Sequence, residues 1–169
     1  MLSFKTGDFT IEVSDATANY ADFLNEYDAI YIAPSAYQPT SVQFIKLIRF
    51  DDFLQENRVI KQVIVGATGG GTGLQKTGTL LDNDQLVTCC SDTVFSISIP
   101  DLNLLWQTKA DWGTCFQLFK MKDDYIVHGE MEITRLNKQG NIVWQHSGAD
   151  IFVTFDSSEN FHIDGDYFL

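Results

Sequence analysis

Apolar and polar residues alternate over short stretches along most of the chain, and turns rich in Gly, Asp, Asn and Pro separate these stretches. Alternation over about five or six residues, with a turn roughly every eight to twelve positions, is typical of antiparallel β-sheet rather than helix. In the second half of the chain the pattern predicts strands at residues 78–81, 85–90, 93–99, 102–108, 114–121, 125–129, 132–136 and 141–145.

These strands form two groups that repeat one another. Residues 86–111 align with residues 125–150 to within one residue, Trp106 and Trp144 lie 38 positions apart, and a third, partial copy begins at Phe161. Repeats of this period are typical of stacked β units such as propeller blades of ~40–50 residues. Because a closed propeller typically has at least four blades, we predict a mainly β protein with antiparallel, propeller-blade-like repeats in an open array or sandwich.

The N-terminal residues 1–65 follow a different pattern, which predicts a small α+β segment. Spacing on one helix face predicts a short helix near Asn19, through Tyr20, Phe23, Leu24 and Tyr27. An opening hairpin from Leu2 to Val13 and strands at 29–33, 42–50 and 58–65 are also predicted. The Gly-rich stretch 66–73 joins this segment to the repeat region, residues 74–169, and the length suits a single compact domain.

The Gly-rich stretch stands where a phosphate-binding loop would stand, after a predicted strand. A P-loop requires a Lys after its last glycine, but Gly71 is followed by Thr72. The dinucleotide fingerprint fails as well, because a match that starts at Gly69 ends on Leu74. A strand is predicted next, so no helix N-terminus is available for a phosphate. The stretch is therefore predicted to be a linker or a tight turn.

Composition and charge restrict the partners. The chain has 169 residues, of which 44% are hydrophobic, and its formal net charge is −12. This charge disfavours binding to nucleic acid or to an anionic membrane surface. The sequence has neither a membrane-spanning apolar run nor the apolar region of a secretory signal. Its three cysteines, two of them adjacent, predict reduced thiols. We therefore expect a cytoplasmic protein.

Acidic and imidazole side chains gather around the middle of the second repeat. His128, Glu130 and Glu132 would share one face of a regular strand, because side chains alternate along a strand. Two carboxylates, with Asp111 or Asp150 as further candidates, are the groups that glycoside hydrolysis requires across a cleft. No cleft is predicted here, and a surface ion pair between Glu132 and Arg135 is the simpler expectation.

The predicted ligand-binding set is completed by an aromatic residue. Trp106 and Trp144 have the repeat spacing and are predicted to anchor the cores of their units. Trp112 lies outside that register, so it is the better candidate for contact with a ligand. The full set is Trp112, His128, Glu130, Glu132 and Asp150.

Neither metal binding nor nucleophilic catalysis is predicted. Cys89, His128 and Asp164 occupy equivalent positions of the repeat and are all possible metal ligands. They belong to neighbouring units, however, and the chain lacks the close ligand spacing of a structural zinc site. Cys115 has no catalytic motif around it and is predicted to be a small buried hydrophobe. We predict no cofactor and no catalytic residue.

Two resemblances rest on particular residues. Leu136, the turn that ends at Gly140, and Trp144 resemble the end of a quinoprotein-type propeller blade. Residues 92–152 are similar to a family of small bacterial cytoplasmic proteins of uncharacterised function, through the segments 98–106, 114–116, 128–133 and 148–152. The second resemblance implies a fuller final unit than residues 161–169 provide, and it implies no catalytic or binding residue.

The acidity, the repeated β units and the lack of a catalytic signature favour a non-enzymatic protein-interaction protein. We expect it to bind a basic partner, and an immunity-type protein that neutralises such a partner is one role of this kind. A homo-oligomer through the incomplete last unit is also predicted, because an unpaired strand edge can pair with another chain. The alternative is a carbohydrate- or small-molecule-binding module, or a hydrolase, that uses Glu130 and Glu132.

Overall fold

The computed structural model describes residues 1–16, 25–34, 36, 38–51, 53–70 and 73–147. In these residues the chain forms thirteen strands and one short 3-10 turn at Lys76–Gly78. The strands are β1 (Leu2–Thr6), β2 (Phe9–Asp15), β3 (Ala29–Ile32), β4 (Ser41–Asp51), β5 (Glu56–Ala67), β6 (Thr79–Asp82), β7 (Gln85–Cys90), β8 (Thr93–Ser98), β9 (Leu104–Lys109), β10 (Cys115–Met121), β11 (Asp124–Gly129), β12 (Glu132–Leu136) and β13 (Ile142–Ser147). The prediction of a mainly β protein is confirmed.

The first sheet, which we call the N-terminal sheet, has the strand order β1-β2-β4-β5-β3. The predicted opening hairpin and the three predicted strands are present, and β3 pairs with β5 in parallel. Strand β5 continues to Ala67, so Gly66 lies within a strand, where a Cβ atom would come 2.9 Å from Ile32 Cδ1. The predicted helix runs from Asn19 to Tyr27; residues 19–24 lie outside the described residues, and residues 25–27 are not helical.

Strands β6–β9 and β10–β13 form two four-stranded antiparallel sheets, which we call blade 1 and blade 2. Trp106 pairs with Ser96 in blade 1, and Trp144 pairs with Arg135 in blade 2. The register shifts at the next pair in both blades. Two four-stranded units of the predicted repeat are therefore present, with a register shift at the same place in each, and the predicted partial copy from Phe161 lies outside the described residues. All three strand orders are linear, so none of the described sheets closes into a barrel, as expected for an open array.

Blade 1 lies between the other two sheets and is buried on both faces. Side chains of β7 alternate between two hydrophobic cores. Leu86 and Cys90 belong to a core shared with the N-terminal sheet, whereas Val87 and Cys89 belong to a core shared with blade 2. Because both faces are covered, β7 and β8 carry nearly continuous runs of buried residues.

Polar contacts also connect the N-terminal sheet to blade 1. The Gln43 side chain donates a hydrogen bond to the Cys89 carbonyl (2.8 Å) and accepts one from the Thr88 hydroxyl (3.1 Å). The Tyr31 hydroxyl donates to the carbonyl of Leu102 (3.0 Å). The N-terminal sheet is thus packed on the repeat region as an additional layer.

Trp106 anchors the boundary between the two blades, as predicted for a core residue. Its ring packs against Tyr125 with a centroid distance of 5.9 Å, and its Nε1 donates to the Lys138 carbonyl (3.1 Å). The turn between β12 and β13 reaches the ring through Gly140, which has a φ of 80°. A Cβ atom at this position would lie 2.4 Å from Trp106 Cδ2, so glycine is required for two separate reasons.

We expect Gly140→Ala to lower the free energy of unfolding by about 2–4 kcal/mol, because the new methyl group meets the indole ring and the backbone conformation becomes strained. Gly7→Ala is the matched control, since Gly7 has a φ of 52° and nothing within 4 Å of its added Cβ. It should lose only about 1–2 kcal/mol. Urea denaturation measures both, and equal losses would contradict the packing role of Gly140.

Candidate functional site

The candidate residues meet at one end of the two blades. Successive strands run in opposite directions, so the turns after β7, β9 and β11 lie at the same end. The Gly-rich stretch after β5 reaches this end as well. We define the turn cluster by the residues that these four connections bring together: Gly69, Gly70, Ser91, Asp92, Asp111, Gly113, Thr114 and Glu130.

Backbone hydrogen bonds join the four connections in series. The amide of Gly70 donates to the carbonyl of Gly113 (3.1 Å). The amide of Cys115 donates to the carbonyl of Ser91 (2.7 Å), and the amide of Glu130 donates to the carbonyl of Thr114 (2.8 Å). The positions of the turns therefore depend on one another.

Asp111 is the central acceptor of the turn cluster. Its buried carboxylate accepts hydrogen bonds from the amides of Gly113 (2.6 Å), Met131 (3.0 Å) and Glu132 (2.7 Å). The carboxylate approaches Gly129 so closely that a Cβ there would lie 2.0 Å from its Oδ2. Asp111 therefore fixes the connection after β9 to the turn after β11.

The expectation that His128, Glu130 and Glu132 share one face of a regular strand is wrong. Strand β11 ends at Gly129 and β12 starts at Glu132, so Glu130 lies in the turn between them. The chain reverses direction there because Asp111 binds the turn amides. His128 and Glu132 are buried, whereas Glu130 is half-buried.

The Glu132 carboxylate is hydrogen-bonded to the neighbouring strand β13. Its Oε1 accepts a hydrogen bond from the Ser147 hydroxyl (2.8 Å), and its backbone amide is held by Asp111. The predicted ion pair with Arg135 is not formed; Arg135 binds Asp124 instead, with Nε 2.7 Å from Oδ2. The register explains this pairing, since Arg135 lies opposite Ile126 on β11, two residues from Asp124.

Trp112 lies at the surface of the turn cluster. Its side chain is 72% exposed, and Lys109 Nζ stands 5.0 Å from the centroid of its ring. The same ammonium group pairs with the buried Asp92 (3.1 Å). The Glu130 carboxylate lies close to Gly113, the residue after Trp112. A Cβ atom on Gly113 would be 2.4 Å from Glu130 Oε2. The structure thus places the Glu130 carboxylate against the residue that follows Trp112, and Asp150 lies outside the described residues.

The backbone of the Gly-rich stretch packs closely against the neighbouring turns, so this stretch is not a long linker. A Cβ on Gly69 would lie 2.3 Å from the Gly113 carbonyl oxygen and 2.4 Å from Ser91 Oγ. A Cβ on Gly70 would lie 2.3 Å from Thr114 Oγ1. Sequence reasoning missed Ser91 and Thr114. The repeat carried a signal for Ser91, because it occupies the position of Glu130 in the preceding unit.

The thiols of Cys90 and Cys115 are not activated. Cys89, Cys90 and Cys115 are all free and buried. Burial raises the pKa of Cys90 to about 12. A hydrogen bond with Cys89, together with burial, raises the pKa of Cys115 well above its ordinary value. All these effects favour the protonated thiol, which is a poor nucleophile.

Across the described ranges, no three His, Cys, Asp or Glu side chains come close enough together to hold a metal ion. None of the described segments forms a helix long and apolar enough to cross a membrane.

The chain matches no protein-family model and no curated protein. Among solved structures it is similar to one described as the AfRom2 CNH domain, with a TM-score of 0.41 and 10% sequence identity over 65% of this chain. The chain spans 38% of the length of that structure. A similarity of this extent carries no argument about function.

We expect Asp111→Asn to lower the free energy of unfolding by at least about 2 kcal/mol, because a buried carboxylate that accepts three amide hydrogen bonds is replaced by a neutral, partly donating group. Asp123→Asn, in the exposed turn between β10 and β11, is the matched control and should change stability by less than about 0.5 kcal/mol. Chemical denaturation compares them, and similar values for both would refute the central role of Asp111.

The buried His128 predicts that the stability of the protein depends on pH. Burial lowers its pKa, and the nearby Asp111 opposes this effect. The unfolded state therefore takes up a proton more readily than the folded state, and stability is lost as the pH falls through the unfolded value of about 6.5. When the pH is lowered from about 7.5 to about 5.5, the Tm of His128→Gln should fall by less than the Tm of the wild type. His146→Gln, at an exposed site on β13, is the control; an unchanged slope in His128→Gln would reject the assignment.

Proposed function

We propose that this chain is a non-enzymatic protein-interaction protein that binds a basic partner through the turn cluster. The observation that carries the proposal is the pairing of an exposed aromatic residue with a carboxylate. Trp112 is 72% exposed, the Glu130 carboxylate lies against the next residue in the chain, Gly113, and the buried Asp92, Asp111 and Glu132 belong to the same group of connections.

The chemistry of this pair suits a cationic side chain. An indole face attracts an Arg or Lys side chain, and a neighbouring carboxylate adds a charge-assisted hydrogen bond. Lys109 already stands over the Trp112 ring, so the ring attracts cations within the chain itself. Tryptophan is also enriched among the residues that dominate binding energy at protein interfaces.

The charge of the whole chain supports the same kind of partner. A net charge of −12 attracts a basic protein over a distance and accelerates association at low salt. Neutralisation of a basic toxin, the immunity-type role, is one function that such attraction would serve.

The carboxylates favour binding over hydrolysis. Glycoside hydrolysis uses two carboxyl groups that face each other across a cleft. Asp111 accepts three backbone hydrogen bonds, and Glu132 is buried with Ser147 bound to one oxygen. Glu130 is then left as the accessible carboxylate of this group, and a single accessible carboxylate is suited to recognition of a cation.

Trp112→Ala should abolish capture of a basic partner from a lysate of the source organism, because it removes the aromatic face. Wild-type protein should capture the partner at about 50 mM salt and lose most of it at about 500 mM. Phe53→Ala is the matched control, since Phe53 is 93% exposed in the turn between β4 and β5, and it should bind as the wild type does.

Mass spectrometry identifies the captured protein. A basic toxin would establish the immunity-type role, and another basic protein would support binding without that role. Retention of the same partner by Trp112→Ala, or loss of it in Phe53→Ala, would refute the turn cluster as the binding surface.

A further inference from the structure

Strand β5 has an open edge along its first half. Strand β3 pairs with β5 only from Val63 to Gly66, whereas β4 covers the other side of β5 over its whole length. Among the described strands, none pairs with residues 56–61 on the side of β3. An unpaired edge presents backbone amides and carbonyls to a further strand. We call the end of this hairpin, residues 49–51 and 53–61, the arm.

The arm concentrates exposed apolar side chains. Phe53 is 93% exposed, and four more large apolar side chains are between 42% and 52% exposed: Phe50, Leu54, Val59 and Ile60. Together these five side chains expose roughly 500 Å². Monomeric proteins rarely expose more than a few hundred Å² of apolar surface in one region, and such regions are often functional. The arm therefore has the surface expected for contact with another protein chain.

The charges of the arm form two opposed pairs of equal sign. Arg49 lies directly opposite Arg58, and Asp51 lies directly opposite Glu56. Because side chains two residues apart on a strand share a face, both pairs lie on one face of the hairpin. Like charges in directly opposite positions are unfavourable, and neither arginine forms an ion pair within the described chain. Opposite charges from another chain would relieve both pairs.

We propose that two copies of this chain associate through their arms, with the open edges of β5 paired antiparallel about a two-fold axis at Asn57. In this register Glu56 of one copy lies opposite Arg58 of the other, and the symmetry repeats the contact. Opposite charges in facing positions of neighbouring strands are favourable. The charges that repel within one chain therefore become complementary between two.

The same register brings the apolar side chains of the arms together. Counting outward from Asn57, Leu54 of one copy falls beside Ile60 of the other, with Phe53 and Val59 next to this contact. Two arms would bury roughly 1,000 Å² of apolar surface, which is less than a standard protein interface. We therefore expect a reversible dimer with a Kd on the order of 10–100 μM.

The distribution of charge favours a second copy as the occupant. Residues 49–61 contain three basic and three acidic residues, so the arm is neutral in a chain whose net charge is −12. Two acidic copies repel each other over most of their surfaces, and this repulsion is smallest where the arms meet.

The arm is distant from the turn cluster. Strand β5 has twelve residues and runs from the arm towards the Gly-rich stretch, so the two regions lie roughly 35–40 Å apart. Dimerisation through the arm leaves the turn cluster accessible. The inference is therefore independent of the proposed function and goes beyond it.

Sedimentation equilibrium of the full chain tests the dimer. Between about 1 μM and about 300 μM, at about 150 mM salt, the mean mass should rise from that of one chain towards that of two. A chain that stays monomeric at the highest concentration would overturn the proposal.

A charge reversal tests the arm as the contact. Arg58→Glu should weaken dimerisation at least about tenfold, because the new carboxylate faces Glu56 of the second copy. Folding should not suffer, since the same carboxylate faces Arg49 within its own chain. Lys76→Glu, at an exposed site before β6, changes the net charge equally and should leave the Kd within about twofold of the wild type. An equal dimer in Arg58→Glu would overturn the arm as the contact.

A charge swap tests the register. The double variant Glu56→Arg, Arg58→Glu restores opposite charges across the two-fold axis, so its Kd should return to within about threefold of the wild type. Failure of the double variant to recover would overturn the pairing about Asn57.

The dimer and the proposed function fail separately. Phe53→Ala should weaken dimerisation at least about threefold, because it removes apolar contact area, and it should keep partner capture. Trp112→Ala should abolish partner capture and leave the Kd of the dimer unchanged. A dimer as strong in Phe53→Ala as in the wild type would count against the apolar contact that the register requires.

Discussion

The double burial of blade 1 is the constraint on which the structure depends. Strands in the middle of a stack must present apolar residues on both faces, and β7 and β8 do so by directing alternate side chains into two different cores. Leu86 and Phe95 face the N-terminal sheet, whereas Val87 and Val94 face blade 2. The N-terminal sheet is therefore required for the stability of the repeats, since it covers the face that blade 1 would otherwise expose to water.

The same stacking leaves mostly apolar residues between the sheets, so most of the candidate polar residues lie in the connections. The connections at this end are close enough for one buried carboxylate, that of Asp111, to bind amides from two of them. Glycines at 69, 70, 113 and 129 allow the backbones to approach within reach of these oxygens. The exposed Trp112 and the half-buried Glu130 thus lie on connections that hydrogen bonds hold to one another.

Much of the fold could be predicted from local patterns. Strand positions in the blades were recovered because alternation has a period of two residues, and the repeat was recovered because Trp106 and Trp144 keep the same place in it. The parallel pairing of β3 could not be predicted, since it depends on the path of the chain between distant segments.

The candidate site was harder to predict than the fold. The alternation predicts strands at 125–129 and 132–136 and leaves Glu130 between them, but it does not indicate which residues the turn contacts. The turn there is set by Asp111, which lies 18 positions earlier in the chain. The positions of Ser91 and Thr114 are likewise determined by backbone contacts between turns, which alternation along a strand does not encode.

The side chains of the two adjacent cysteines of β7 point to opposite faces of blade 1. Cys90 is enclosed with the N-terminal sheet, and its neighbour Cys89 is enclosed with blade 2. Although a single peptide bond separates them, their thiols become accessible to an alkylating reagent through different opening motions. The chain thus carries an intrinsic pair of probes that distinguishes detachment of its first layer from detachment of its last.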